Sequence, residues 1–326
     1  MQSLPMQYDV TVVICTRNRE ERILSAVSSV LANDNQRFSL LVIDQSDGDR
    51  TRRALDPVKG DTRLRIVSSS ERGLSRARNQ ALRLAETELV LFTDDDCEVP
   101  SNWVADFVSS LEGRPSVAVA FCPVVPGPHD ESAGYVPNFE CSGTRVLSSI
   151  ADLSPQRGMG AGFAVRRSAA LELGAFDEEL GAGGSFPAAE DCDIAVRALL
   201  NGYEVMETDA TFVIHHGFRS WLEGRALARR DWVGLGAAYS KPLRAGYWTF
   251  GPVLARELLV NVAWPPLRDI LNLRRPKGLG RIAYFASGIA RGFMAPFDPR
   301  SVVFLGADQL QGADQLGAAE QLSAAE

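Results

Sequence analysis

The sequence lacks the marks of several protein classes. Its five cysteines (15, 97, 122, 141, 192) are odd in number, scattered and never in a CxxC pair, which argues against a disulfide framework and against a cysteine zinc site. A reducing, cytoplasmic setting is therefore expected. No uncharged apolar run reaches the roughly 18 residues of a membrane-spanning helix. The longest candidates, 245–255 and 258–267, are broken by Gly or Pro. The N-terminus shows no basic stretch followed by an apolar core, so no cleaved signal is expected. No GxGxxG follows the first strand-like run, which speaks against a dehydrogenase. The acidic first part of the chain speaks against a nucleic-acid binder.

What is present is a globular composition. With 326 residues and 45% hydrophobic content the chain can bury a large core. Its formal charge of −7 is unevenly spread: residues 241–300 hold ten Lys/Arg against three acids. Three units are expected, a globular domain over 1–240, a basic amphipathic helical segment over 241–304 and a low-complexity acidic tail over 305–326. The tail repeats Gly-Ala-Asp-Gln-Leu with period six and is expected to be disordered.

From residue 9 to 96 the pattern alternates strand and helix. Apolar runs at 10–15, 38–43, 64–67 and 89–92 read as strands, and residues 23–31 and 73–85 carry apolar side chains at helical spacing. Such alternation predicts parallel pairing. A helix is expected from about 100 to 111, a strand over 117–122, a helix over 194–201, strands over 204–206 and 211–215, and a helix over 221–240. The Pro- and Gly-rich stretch 123–158 reads as a long loop, either a binding lid or an insertion without structure of its own.

Four polar clusters close these strands: Thr16-Arg17, Asp44, Asp94-Asp95-Asp96 and His215-His216. Parallel sheets bind ligands at the carboxyl ends of their strands. Three adjacent acids repel one another and suit a hard divalent cation. Read singly, Asp44 fits an Asx-turn and the three aspartates fit a solvated turn. At one sheet edge they are better explained by a ligand. Arg72, Arg76 and Arg78 open a helix at its N-terminus, a place that disfavours cations unless an anion binds there. Glu190 and Asp191 follow the glycine-rich 181–184 segment at a helix start. The Gly158-Met159-Gly160 stretch is too short of glycines for a phosphate fingerprint and reads as close backbone packing.

These motifs resemble the family 2 glycosyltransferases of the GT-A fold. The resemblance rests on Val12-Val13-Ile14-Cys15-Thr16-Arg17-Asn18-Arg19, Val42-Ile43-Asp44, Arg72-Gly73-Leu74-Ser75-Arg76-Ala77-Arg78-Asn79 and Thr93-Asp94-Asp95-Asp96, in that order. Gly162-Phe163-Ala164-Val165-Arg166-Arg167, the 173–180 segment, Glu190-Asp191 and the histidine after the last strand extend it through residue 217. It implies an α/β fold with a Rossmann-like, mostly parallel sheet flanked by helices and a C-terminal helical extension, the 1–240 unit being a catalytic domain with a nucleotide-binding half (about 1–110) and an acceptor half (about 111–240). It also implies a nucleoside-diphosphate sugar donor, a hydroxyl-bearing acceptor, lipid-linked or not, and a divalent metal, Mn or Mg. Thr16, Arg17 and Asp44 would face base and ribose, and Arg78 the diphosphate or the acids. Asp94 and Asp95 would lie near ribose and sugar. Asp96 would ligate the metal with His215, His216 being its rival because neighbouring strand residues point oppositely. Asp191 would be the base that activates the acceptor, with Glu190 positioning the acceptor or holding Asp191.

Two other functions fit the same sheet, a nucleotidyltransferase and a non-catalytic nucleotide- or carbohydrate-binding protein. The first generally needs a glycine-rich loop after its first strand, and Thr16-Arg17-Asn18-Arg19 has none. The basic, aromatic-bearing 241–300 segment suits peripheral contact with the inner face of a membrane. A homodimer interface or ordinary packing on the catalytic domain is the alternative.

Overall fold

A computed structural model describes residues 9–153 and 158–307. The repeats from 308 onward, and with them the expected disorder of the tail, lie outside the described residues. The first part runs β1 (Val10–Thr16), α1 (Ile23–Leu31), β2 (Phe38–Asp44), α2 (Arg50–Ala54), β3 (Leu64–Ser68), α3 (Leu74–Leu84), β4 (Leu89–Asp94), β5 (Cys97–Glu98) and α4 (Trp103–Leu111). Then come β6 (Val117–Phe121), β7 (Val124–Pro126), β8 (Gly134–Tyr135), β9 (Arg145–Leu147), β10 (Gly162–Arg166), α5 (Arg167–Glu172), α6 (Glu190–Leu200), β11 (Glu204–Glu207), β12 (Val213–His215) and β13 (Arg219–Ser220). The last part is helical: α7 (Trp221–Arg244), α8 (Gly251–Arg256), a π-helical stretch Glu257–Ala263, α9 (Trp264–Leu271) and α10 (Gly280–Met294). A two-stranded pair, β14 (Phe297–Asp298) with β15 (Val303–Phe304), closes it.

Eight strands form the main sheet in the order β3-β2-β1-β4-β10-β6-β11-β9. Strands β3, β2, β1 and β4 are parallel, as are β6 and β11, while β10 and β9 run against their neighbours. The strands at the centre are apolar on both faces because helices cover both: Val10, Val12, Val13, Ile14, Val90 and Leu91 are fully buried. A side chain such as Phe92, stacked 4.9 Å from Phe163, contributes about 1.5–3 kcal/mol by leaving water.

The stretch 123–158 differs from its reading as one long loop. It contributes three short strands with distant partners: β7 pairs with β12, β8 with β13 and β9 with β11. Lys241 is also unlike the rest of the basic segment. It is fully buried, 2.5 Å from Asp177 Oδ2 and 2.6 Å from Asp193 Oδ1, and ties α7 to α6. No helix of the described residues is long and apolar enough to cross a membrane.

Candidate active site

Register builds the acidic corner. Strand β1 lies alongside β4 with Cys15 opposite Asp94, so the residue after each is also adjacent, and Thr16 Oγ1 donates to Asp95 Oδ2 at 2.7 Å. On the other side β12 pairs with β5, His215 opposite Cys97. The backbone N–H of His216 donates to the Asp96 carbonyl, and His215 Nε2 comes 3.4 Å from Asp96 Oδ1. The other ring nitrogen of His215 is 2.9 Å from the Pro137 carbonyl, a bond that fixes the ring and leaves Nε2 facing the carboxylate. His216 points elsewhere, 3.6 Å from Glu98. The structure thus brings Asp96 and His215 together and leaves His216 apart.

Arg19 completes the corner. Its Nη1 donates to Asp96 Oδ2 at 2.7 Å and lies 3.8 Å from Asp95 Oδ1. The three aspartates consequently differ. Burial raises Asp94 to about 7, against the pull of Arg78 and with help from the charge of Asp96. Burial also raises Asp95 to about 6, although Thr16 and Arg19 oppose it. For Asp96 burial is outweighed by His215 and Arg19, which hold it well below the usual carboxylate range. One member of the triplet is therefore firmly ionised, the one that faces both a cation and an imidazole.

Arg78 projects from α3 into the space between this corner and α6. It is almost fully buried, its guanidinium 5.1 Å from the centre of the Phe163 ring. It lies 3.8 Å from Asp94 and donates to Glu190 Oε1 at 2.9 Å and to the Gly160 carbonyl at 3.0 Å. The N–H of Gly160 in turn donates to Asp191 Oδ2 at 2.6 Å. A methyl group at residue 160 would sit 2.8 Å from the Arg78 guanidinium and 3.1 Å from Asp191, which explains the glycine as a close backbone approach. Helix α6 begins four residues earlier than its apolar spacing predicts and takes Glu190, Asp191 and Asp193 into its first turn, where the helix dipole favours acids. Ala189, just before the pair, adopts a left-handed φ of 74°, a strained conformation for a residue with a Cβ. Burial and the charge of Glu190 raise Asp191 to about 6, against Arg78 and the N–H donors.

One cavity of about 810 Å³ joins these groups, with Thr16, Arg17, Asp94, Asp95, Asp96 and His215 on one part of its wall and Glu190 and Asp191 on another. Asp44 is placed differently. It is buried at the end of β2, where its Oδ1 accepts from the Ser46 N–H, and Gln45 lines the cavity beside it. Sequence reading passed over Arg19, Gln45 and Cys97. Only the first had a visible signal, a cation within the polar turn after β1. Cys97 lies with Asp96 and His215 in a group whose ligand atoms are within 4.8 Å of one another. Burial raises its thiol pKa well above the ordinary value, so it is a poorer partner for a hard cation than the carboxylate. Tyr135, Pro137 and Asn138 of the predicted loop, Arg219, and Arg230 and Trp232 of α7 also line it.

Residues 11–172 match the family described as glycosyl transferase family 2. The chain belongs to that family. Among curated relatives of this family 2 chain, the uncharacterized glycosyltransferase YfnE of Bacillus subtilis (strain 168) is 28% identical over 111 residues, 33% of this chain and 28% of the relative. The UDP-Glc:alpha-D-GlcNAc-diphosphoundecaprenol beta-1,3-glucosyltransferase WfgD of Escherichia coli is 31% identical over 101 residues, 30% of this chain and 38% of the relative. The chain thus matches well under half the length of either. Its fold is that of the GT-A glycosyltransferases. The mannosyltransferase PcManGT from Pyrobaculum calidifontis, solved with GDP-Man and Mn2+, superposes with a TM-score of 0.61 at 22% identity, covering 97% of this chain and 81% of that one.

Proposed function

We propose that this family 2 chain transfers a sugar from a nucleoside-diphosphate sugar to an acceptor hydroxyl, with inversion at the anomeric carbon. The observation that carries the reading is the single cavity in which the ionised corner at Asp96 and the raised carboxylate of Asp191 both take part.

Thr16, Arg17 and Asp44 receive base and ribose, with Gln45 beside them. Asp94 and Asp95 face ribose and sugar. The donor set of one carboxylate oxygen from Asp96 and Nε2 of His215, oriented by Pro137, fits a divalent cation, Mn or Mg. When bound there, the cation supplies charge neutralisation for the departing diphosphate. Asp191 accepts the proton of the acceptor hydroxyl as its oxygen forms the new bond to the anomeric carbon. The bond from that carbon to the diphosphate oxygen breaks, and the nucleoside diphosphate leaves with the electron pair. A base of pKa about 6 is ionised at neutral pH and still basic enough to take a proton in the transition state. Arg78 and Glu190 hold Asp191 through Gly160.

The acceptor for which the E. coli relative is named, GlcNAc on diphosphoundecaprenol, supports a lipid-linked acceptor here. The cations Arg219 and Arg230 on the cavity wall suit an acceptor that carries phosphate.

Incubation with nucleoside-diphosphate sugars and Mn²⁺ tests the reading by its by-product. Release of nucleoside diphosphate supports it. Release of sugar 1-phosphate assigns the chain to nucleotidyl transfer, and nucleotide binding without turnover of any donor makes it a binding protein.

A further inference from the structure

Beyond the cavity, the segment from the π-helical stretch to the start of α10 presents most of its apolar side chains outward, Val262 being buried. Leu259 is 67% exposed, Leu271 65% and Leu273 97%, with Trp264 and Leu267 about half exposed. In α9 the residues Trp264, Leu267 and Leu271 recur at i, i+3 and i+7, the spacing of a core-facing stripe, yet this stripe faces solvent while Pro266 is buried.

The same segment holds exposed Arg268, Arg274, Arg275 and Lys277, and among the described residues no carboxylate is ion-paired with any of them. Asp269 is engaged by the backbone N–H groups of Arg274 through its carbonyl and of Lys277 through its carboxylate. A bare apolar stripe edged by unpaired cations matches the boundary between acyl chains and anionic headgroups. A second copy of the chain fits less well. A two-fold contact would set these four cations against their own counterparts, and charged residues are depleted from the cores of such interfaces.

We propose that residues 259–277 seat the protein on an anionic lipid bilayer, with Leu259, Trp264, Leu267, Leu271 and Leu273 entering the headgroup boundary. Arg268, Arg274, Arg275 and Lys277 then lie at lipid phosphates. The face adjoins the cavity. Trp232, on the cavity wall, stacks 5.5 Å from the Arg281 guanidinium, whose Nη1 donates to the Asn261 carbonyl of the π-helical stretch at 3.0 Å. A membrane-borne acceptor would meet the cavity from this side.

The test is sedimentation of the full chain with vesicles of phosphatidylcholine alone and of phosphatidylcholine mixed with phosphatidylglycerol. The protein is expected to bind the mixed vesicles and to release from them as salt rises. Arg274→Ser with Arg275→Ser, both exposed, should weaken binding roughly 10- to 30-fold. Leu259→Ser with Leu271→Ser should weaken it as well, with an unchanged melting curve. No binding to the mixed vesicles, or equal binding to both kinds unaffected by either pair of substitutions, overturns the proposal. So does a dimer in sedimentation velocity that the leucine substitutions dissociate without any vesicle binding, an outcome that gives the face to a second copy. Vesicle binding is read without turnover, so it fails or stands separately from the transfer reaction.

Discussion

Arg78 Nη1 donates to Glu190 Oε1 at 2.9 Å, an ion pair that joins α3 to the first turn of α6 across 112 residues of sequence. Both groups are buried, so each charge has little water as an alternative partner. The other amino group of Arg78 holds the Gly160 carbonyl, and Gly160 N–H holds Asp191. The place of Asp191 thus depends on a residue it does not touch.

Arg78→Met removes one partner of a buried pair and leaves Glu190 with no counter-charge. Unfolding in urea should show a loss of about 3–5 kcal/mol. A loss below about 1 kcal/mol would mean that solvent reaches Glu190 and that the pair is not a support for α6.

The pH dependence follows from Asp191. Burial and Glu190 disfavour its charged form, so its pKa is raised to about 6 and the protonated form, which cannot act as a base, dominates below that value. With saturating donor, kcat should be level above pH about 7 and fall about tenfold per unit below pH about 6. A profile that stays level down to pH about 4.5 would assign the proton transfer to another group.

Gly217 stands where a side chain would block the corner. A methyl there would collide with the His215 imidazole and lie 3.0 Å from Asp96 Oδ2. Gly217→Ala is expected to weaken Mn²⁺ binding by about 10- to 100-fold, the scale seen when a ligand's orientation is disturbed. Titration of Mn²⁺ by electron paramagnetic resonance reads this directly, and equal affinities in the two proteins would remove His215 and Asp96 from the metal site.

Much of the site was legible because its parts are short strings at strand ends. Asp94, Asp95 and Asp96 are consecutive, and the apolar run before them announces the strand that carries them to the sheet edge. The choice between His215 and His216 was not legible, since it depends on β12 pairing with β5 and on the Pro137 carbonyl that receives one ring nitrogen. The short strands of 123–158 escaped notice for a similar reason: their partners are remote, and Pro and Gly dominate the local pattern. Lys241 falls among the ten cations of the basic segment, yet it is fully buried on Asp177 and Asp193, partners that no charge count along the chain can reveal. Asp44 shows the turn reading, taking the Ser46 N–H, while it is its neighbour Gln45 that lines the cavity.

The central claim is that Asp191 is the base of a sugar transfer. Asp191→Asn keeps the size of the side chain and its contact with Gly160 N–H while removing the basic oxygen. Turnover of a nucleoside-diphosphate sugar and Mn²⁺-dependent binding of the nucleoside diphosphate should be measured on the same preparation. The expected result is a fall of about 100- to 10,000-fold in kcat with nucleotide affinity nearly unchanged. Turnover equal to that of the unaltered protein would contradict the assignment.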